Sequence, residues 1–361
     1  MTRQAFVHRI ATAAPDDVSG LERAVAEGRI RRDGIVAVLG KTEGNGCVND
    51  FTRALGARAL HDLLGPEPCL VMSGGTEGGL SPHLIVFEVR QVEAEPQAGA
   101  LAVGAARTPA LPPEALGRHV QVAGVAAGVR TAMAEAGIAD AADVHFVQVK
   151  CPLLTSARIA EAAARGAATA TRDTLKSMGL SRAAASLGVA TALGEVDGAE
   201  FDEAAIGADW HLQSSRASAS AGVELTGHEI VVLGRGAGWA GPLRIDHAVM
   251  ADGIDIEPVR EALHRLDLAT PGQLRPAQRP RLKALLAKAE APSGGTLRGY
   301  RHTMLTDSDL SPTRHARGFT AGALAALVGH AEIYVSGGAE HQGPDGGGPV
   351  CVIVEMEGEA A

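Results

Sequence analysis

The feature that most limits what this chain can fold into is an internal repeat: three copies of one plan spread along 361 residues. MSGGTEGG at 72–79 follows the apolar run CLVM and precedes HLIVFEV, and VSGGAEHQGPDGGG at 335–348 lies between EIY and PVCVIVEM. Each reads as strand, Ser-Gly-Gly turn, glycine-rich loop, strand. WHLQSSRASASAG at 210–222, followed by HEIVVLG, reads as a looser copy, with Ser214 taken as the counterpart of Ser73 and Ser336.

A second element precedes each serine. IVAVLGKTEGNG at 35–46, VHFVQVKCPLL at 144–154 and LKALLAKAEAPSGG at 282–295 each carry an apolar run that ends in a lysine: Lys41, Lys150 and Lys288. The first two runs are β-branched and strand-like, whereas the third is equally compatible with a helix. Between lysine and serine lies an Ala-rich helical stretch that opens near an arginine: Arg53, Arg182 and either Arg314 or Arg317. Arg53 precedes Ser73 by 20 residues, Arg317 precedes Ser336 by 19, and Arg314 precedes it by 22, so spacing selects Arg317. Units of 1–95, 100–238 and 243–361 follow, with RTPALPP and GRGAGWAGP near the joins. The expected class is α+β, with three similar repeats in pseudo-threefold symmetry.

Composition closes off several alternatives. The formal net charge of -9 argues against a nucleic-acid binder. Four scattered cysteines show no CxxC pair and suggest a reducing compartment. No run reaches the roughly 18 apolar residues of a membrane span, and the N-terminus lacks an apolar signal core, so a cytoplasmic protein is expected. LGKT at 39–42 is not a phosphate loop, because GxxxxGK[ST] needs glycine where Ile35 stands. GAGWAG at 236–241 fits GxGxxG but is not followed by a clear helix. The 13 histidines show no paired ligand spacing, although His341 lies in the glycine-rich loop. No organic cofactor is expected.

A lone strand-end lysine is usually a solvated edge charge, a lone arginine a helix-surface residue, and Ser-Gly-Gly simply a turn. Recurrence in the order Lys, Arg, Ser favours a shared pocket where the copies meet. Arginine forks suit carbonyl oxygens, and a serine followed by glycine exposes its hydroxyl and nearby N–H groups to a developing oxyanion. A buried lysine loses its proton readily and can serve as general base for serine.

The words GKTEGNGCVND, VMSGGTEGGLSPH, HFVQVKCPLLT, SASAGVEL, RHTMLTDSD and YVSGGAEHQGPDGGGPV, in that order, resemble the cyanuric acid hydrolase and barbiturase family of ring-opening amidohydrolases along essentially the whole chain. The resemblance implies three repeats around a central β-barrel with helices outside. It implies hydrolytic opening of cyanuric acid, an s-triazine, to carboxybiuret and then biuret and carbon dioxide. Opening of barbituric acid to ureidomalonate is the alternative, with discrimination expected near Arg317 and Phe319; a non-catalytic binder of small planar ligands is a further one. It implies Ser214 as nucleophile with Lys150 as base. Substrate binding would fall to Lys41, Arg53, Ser73, Gly74, Arg182, Ser214, Ser215, Lys288, Arg317, Ser336 and Gly337. A structural Mg²⁺ or Ca²⁺ is implied at Glu290 and the carbonyls of Ala339, Gln342, Gly343, Pro344 and Gly347, oxygen donors suited to a hard cation. A homotetramer is implied as well.

Overall fold

All three lysine-bearing runs are strands, and each lies inside a sheet of the same design. A computed structural model describes residues 1–198, 201–268 and 270–357. The first unit runs β1 (Thr2–Ala11), α1 (Ser19–Ala26), β2 (Ile35–Thr42), α2 (Phe51–Leu64), β3 (Cys69–Gly74) and β4 (His83–Val92). The second runs β5 (Leu101–Arg107), α3 (His119–Ala136), β6 (Val144–Pro152), α4 (Ser156–Ala164), α5 (Thr174–Ala192), β7 (Ala217–Gly222) and β8 (Glu229–Arg235). After a short β9 (Trp239–Ala240), the third runs β10 (Leu243–Met250), α6 (Glu257–Arg265) and β11 (Leu282–Ala289). It continues through the hairpin of β12 (Thr296–Leu297) and β13 (Tyr300–Arg301), then α7 (Pro312–Val328), β14 (Tyr334–Gly337) and β15 (Gly348–Glu355).

The strand orders are β3-β2-β4-β1, β7-β6-β8-β5 and β14-β11-β15-β10, with β9 added beside β1. In each sheet the lysine strand lies parallel to the serine strand and antiparallel to the last strand of its unit. Even an irregularity recurs: the register shifts at Ile35/Ala37, Val144/Phe146 and Leu282/Ala284, at the start of each lysine strand. Among the described residues these ladders form separate sheets, and none closes them into a barrel.

The third lysine run, LKALLAKA, has helical propensity but forms β11, held between β14 and β15. Burial on both faces overrides local preference there. Leu286 and Ile353 turn to a core shared with Leu39, Ile85 and Phe87 of the first sheet and Phe146 and Ile230 of the second. Leu285 and Val352, one residue away, pack beneath α6 and α7. The period-two alternation of strands thus gives the sheet one face for the common core and one for its own helices. Lys41 and Lys288 lie two residues beyond Leu39 and Leu286, so they project toward that common side.

Candidate active site

Register brings the chemistry together at the ends of the lysine strands. Lys41 pairs with Ser73 and Lys288 with Ser336, but the partner of Lys150 is Ser220. Ser214 lies six residues earlier, before β7 begins. Its hydroxyl donates to Glu195 Oε2 (2.5 Å) and accepts from the N–H groups of Arg216 and Ala217. Ser215 bonds the other Glu195 oxygen, and Arg216 Nε reaches it as well. Ser214 and Ser215 therefore close a turn around Glu195, and the serine equivalent to Ser73 and Ser336 is Ser220. The sequence held the signal in a longer word: SGGTE at 73–77, SAGVE at 220–224 and SGGAE at 336–340 share Ser, Gly and Glu at fixed spacing.

Contacts between units give the same answer independently. Lys41 Nζ donates to Val335 O (2.6 Å), Lys150 Nζ to Met72 O (2.5 Å) and Lys288 Nζ to Ala219 O (2.8 Å). Each acceptor immediately precedes a serine of another unit: Ser336, Ser73 and Ser220. All three lysines are about 1% exposed. Burial drives their pKa values down, helped by Arg317 at Lys41, Arg53 at Lys150 and Arg182 at Lys288; Lys288 falls to about 7.

The arginines run around the units in the opposite sense. Arg182 on α5 grips Glu340 through Nε (2.7 Å) and Nη2 (2.6 Å), and Arg317 on α7 grips Glu77 in the same two-pronged way. Arg53 on α2 reaches the second unit too, but donates to Ala221 O (3.1 Å) and Cys47 O (2.7 Å), with Glu224 only at 4.0 Å. Arg314 stays farther out, its side chain 32% exposed and 3.7 Å from Glu77. The glycines explain themselves here. At Gly75 and Gly338, both at positive φ, a Cβ would fall 2.0 Å from the Arg317 guanidinium and 2.5 Å from that of Arg182. The glutamates at 77, 224 and 340 escaped sequence reasoning because their arginines lie far away in the chain.

The second unit departs from the other two. Lys41 lies 3.4 Å from Ser73 Oγ and Lys288 3.3 Å from Ser336 Oγ. Lys150 instead pairs with Glu224 (3.0 Å), and among the described residues the buried Ser220 hydroxyl has no hydrogen-bond partner. Beneath this pair, Gln148 and Ser218 stand in register where the other units have Leu39 with Val71 and Leu286 with Tyr334. Gln148 Oε1 and Ser218 Oγ are likewise buried, with no hydrogen-bond partner among the described residues. A cavity of about 310 Å³ is lined by Gly46, Arg182, Arg317, Gly337 and Glu340. Among the described residues no protein acceptor bonds Nη1 of Arg182 or Arg317. Phe319 is 45% exposed and does not line that cavity.

Glu290, the expected metal carboxylate, is buried and accepts N–H groups from Ala291 (2.9 Å) and Ala339 (3.0 Å). Among the described residues no lysine or arginine forms an ion pair with it, and burial together with Glu340 raises its pKa. A buried carboxylate without a cationic partner is the donor type that suits a hard cation. Gln342 has a structural task as well, since its side-chain oxygen accepts from Ala219 N (2.7 Å). His341 is no free ligand: Gly207 N donates to its Nε2 (2.7 Å), and its Nδ1 is bonded to Leu212 O.

Among the described residues no helix is long and apolar enough to cross a membrane. The family model of the amidohydrolase ring-opening proteins matches residues 6–355. A cyanuric acid amidohydrolase of Azorhizobium caulinodans is 62% identical over 97% of this chain and 98% of its own. One from Bradyrhizobium sp. strain ORS 375 is 60% identical over 98% of both chains. The crystal structure of the cyanuric acid hydrolase from A. caulinodans superposes with a TM-score of 0.91 at 60% identity, covering 98% of this chain and 99% of that one. A second solved cyanuric acid hydrolase gives 0.93 at 46% identity, covering 99% and 100%.

Proposed function

We propose, from the premise that this chain belongs to the ring-opening amidohydrolase family, that it hydrolyses cyanuric acid with Ser220 as nucleophile and Lys150 as general base. The observation that carries the residue assignment is the Lys150↔Ser220 register together with the unpartnered Ser220 hydroxyl. Cyanuric acid is a flat ring with three equivalent carbonyls, and the units 1–95, 100–238 and 243–361 would surround it in pseudo-threefold fashion as a barrel-like whole. Each unit then presents one lysine and one serine to the ring. Arg182 and Arg317, held by Glu340 and Glu77, would offer their remaining Nη1 groups to carbonyl oxygens.

The proton path joins residues paired in register on neighbouring strands. Neutral Lys150 takes the Ser220 proton as Oγ attacks a ring carbonyl carbon. The C–N bond then breaks, and the lysine returns that proton to the departing ring nitrogen. Glu224 stabilises the transient ammonium. Water hydrolyses the acyl-serine to carboxybiuret, which loses carbon dioxide to leave biuret. Incubation with cyanuric acid and, separately, barbituric acid tests the substrate: biuret is the expected product, and faster opening of barbituric acid would overturn the assignment.

Two further outcomes follow from the charges. Lys288 has a folded-state pKa of about 7, below its ordinary value near 10.4. Between those limits the unfolded chain binds the extra proton, so folded stability rises with pH through that window. Wild-type protein should therefore gain stability relative to Lys288→Met between pH 7 and 9, measured by urea unfolding. A constant difference would mean that Lys288 keeps its charge in the fold.

A cation at Glu290, Mg²⁺ or Ca²⁺ by donor type, would be structural and would hold the 339–347 loop beside Ser336. Chelation should lower the thermal midpoint of wild type but not of Glu290→Gln, with single-turnover chemistry little changed. Complete, reversible loss of turnover in a fold that stays intact would instead indicate a hydrolytic metal centre.

A further inference from the structure

We infer that His145, Asp246 and His247 form a binding site for a borderline-soft divalent ion such as Zn²⁺, clamping the second unit to the third at a point remote from the Lys-Ser ring. His145 is the second residue of β6, and Asp246 and His247 are adjacent on β10. His145 Nδ1 lies 3.0 Å from His247 Nδ1 and 3.6 Å from Asp246 Oδ1, and one ligand atom from each residue falls within 4.8 Å of the others. Zinc bonds of ~2.0 Å in a tetrahedral shell separate neighbouring donors by roughly 3.3 Å, a spacing these distances bracket. Two imidazoles and one carboxylate form a familiar zinc donor set, with room for a fourth ligand from solvent. His247 and Asp246 are partly exposed, so such a ligand has access, whereas His145 is buried.

The surroundings suit a ligand set. Asp246 is already oriented: Oδ2 accepts from Arg265 Nε (2.5 Å) and Oδ1 from the His247 backbone N–H (2.7 Å). Outer contacts of this kind fix ligating carboxylates. The two imidazoles meet nearly edge to face, with centroids 5.0 Å apart. The two Nδ1 atoms face each other, and among the described residues the buried His145 Nε2 has no hydrogen-bond partner. The feature also belongs to one junction only, since Val36 and Lys283 occupy the position of His145 in the other lysine strands. Five residues of extended strand, roughly 16 Å, separate His145 from Lys150. An ion here would therefore act on the fold and not on the reacting atoms.

The test uses full-length, metal-stripped protein kept in excess Mg²⁺ to occupy an oxygen-donor site. Zn²⁺ should bind with one equivalent per chain in calorimetry and raise the thermal midpoint, because it binds only the folded state. Co²⁺ should develop the visible absorption of a low-coordinate nitrogen-oxygen site. His247→Ala and Asp246→Asn should each weaken Zn²⁺ affinity by about a hundredfold or more and abolish the Co²⁺ band, while kcat on cyanuric acid stays near wild type. His145→Gln, which better conserves side-chain volume, serves where His247→Ala folds poorly. Unchanged Zn²⁺ affinity in these variants, or no binding by wild type, would overturn the site. Failure of cyanuric acid turnover in wild type would overturn the catalytic reading without touching this one.

Discussion

Ser220→Ala should reduce turnover of cyanuric acid by about three to six orders of magnitude, and Lys150→Ala should fall in the same range. In the proposed step the two act on one proton, so the double variant should be little worse than either single one. Ser73→Ala and Ser336→Ala keep the proposed nucleophile and should act mainly through KM, each removing one hydroxyl from the ring. Ser214→Ala is the sharpest control. Its hydroxyl bonds Glu195 and two backbone N–H groups, so its loss should cost about 1 kcal/mol or somewhat more of stability. Its kcat should remain near wild type. Steady-state kinetics with thermal unfolding on all six variants separates these outcomes. Full activity in Ser220→Ala with collapse at Ser73 or Ser336 would move the chemistry to another unit.

Why Ser220 was hidden while Lys150 was plain is a matter of what local sequence records. An apolar run ending in lysine is a one-dimensional pattern, and all three such runs became strands with one register and one bulge position. The serine doublet at 214–215 looked like the degenerate partner of Ser-Gly-Gly because it stands out in an Ala-rich stretch. The conserved element of the repeat was the glutamate four residues after serine, whose purpose is visible only across units. Glu77 meets Arg317 and Glu340 meets Arg182, pairs separated by 240 and 158 residues. His145 and His247 likewise show no spacing in the chain, because β6 and β10 belong to different units. LKALLAKA misleads for the opposite reason: its residues favour a helix, and the two strands flanking it decide otherwise.

The arginine-glutamate contacts predict the largest stability effects. Arg317 is 3% exposed and spans both oxygens of the partly buried Glu77, so Arg317→Gln leaves that carboxylate with only the longer 3.7 Å approach of Arg314. Removing one partner of a fully buried pair costs about 3–5 kcal/mol; the partial exposure of Glu77 and the nearby Arg314 should bring the loss here to about 2–3 kcal/mol. Arg317→Lys should recover only part of this, since an ammonium cannot reproduce the two-pronged fork. The pair Arg317→Gln with Glu77→Gln should be more stable than Arg317→Gln alone, because no charge is then stranded. Arg182→Gln should behave likewise through Glu340. Arg53 differs: it bonds carbonyls, and its carboxylate Glu224 is held by Lys150 at 3.0 Å. Arg53→Gln should therefore cost less in stability, while removing a charge that lowers the Lys150 pKa and shifting the kcat/KM profile to higher pH. Arg314→Gln, with its partly exposed side chain, should change stability by less than about 1 kcal/mol. Equal losses at 314 and 317 in urea unfolding would show that the Glu77 contact does not tie the third unit to the first.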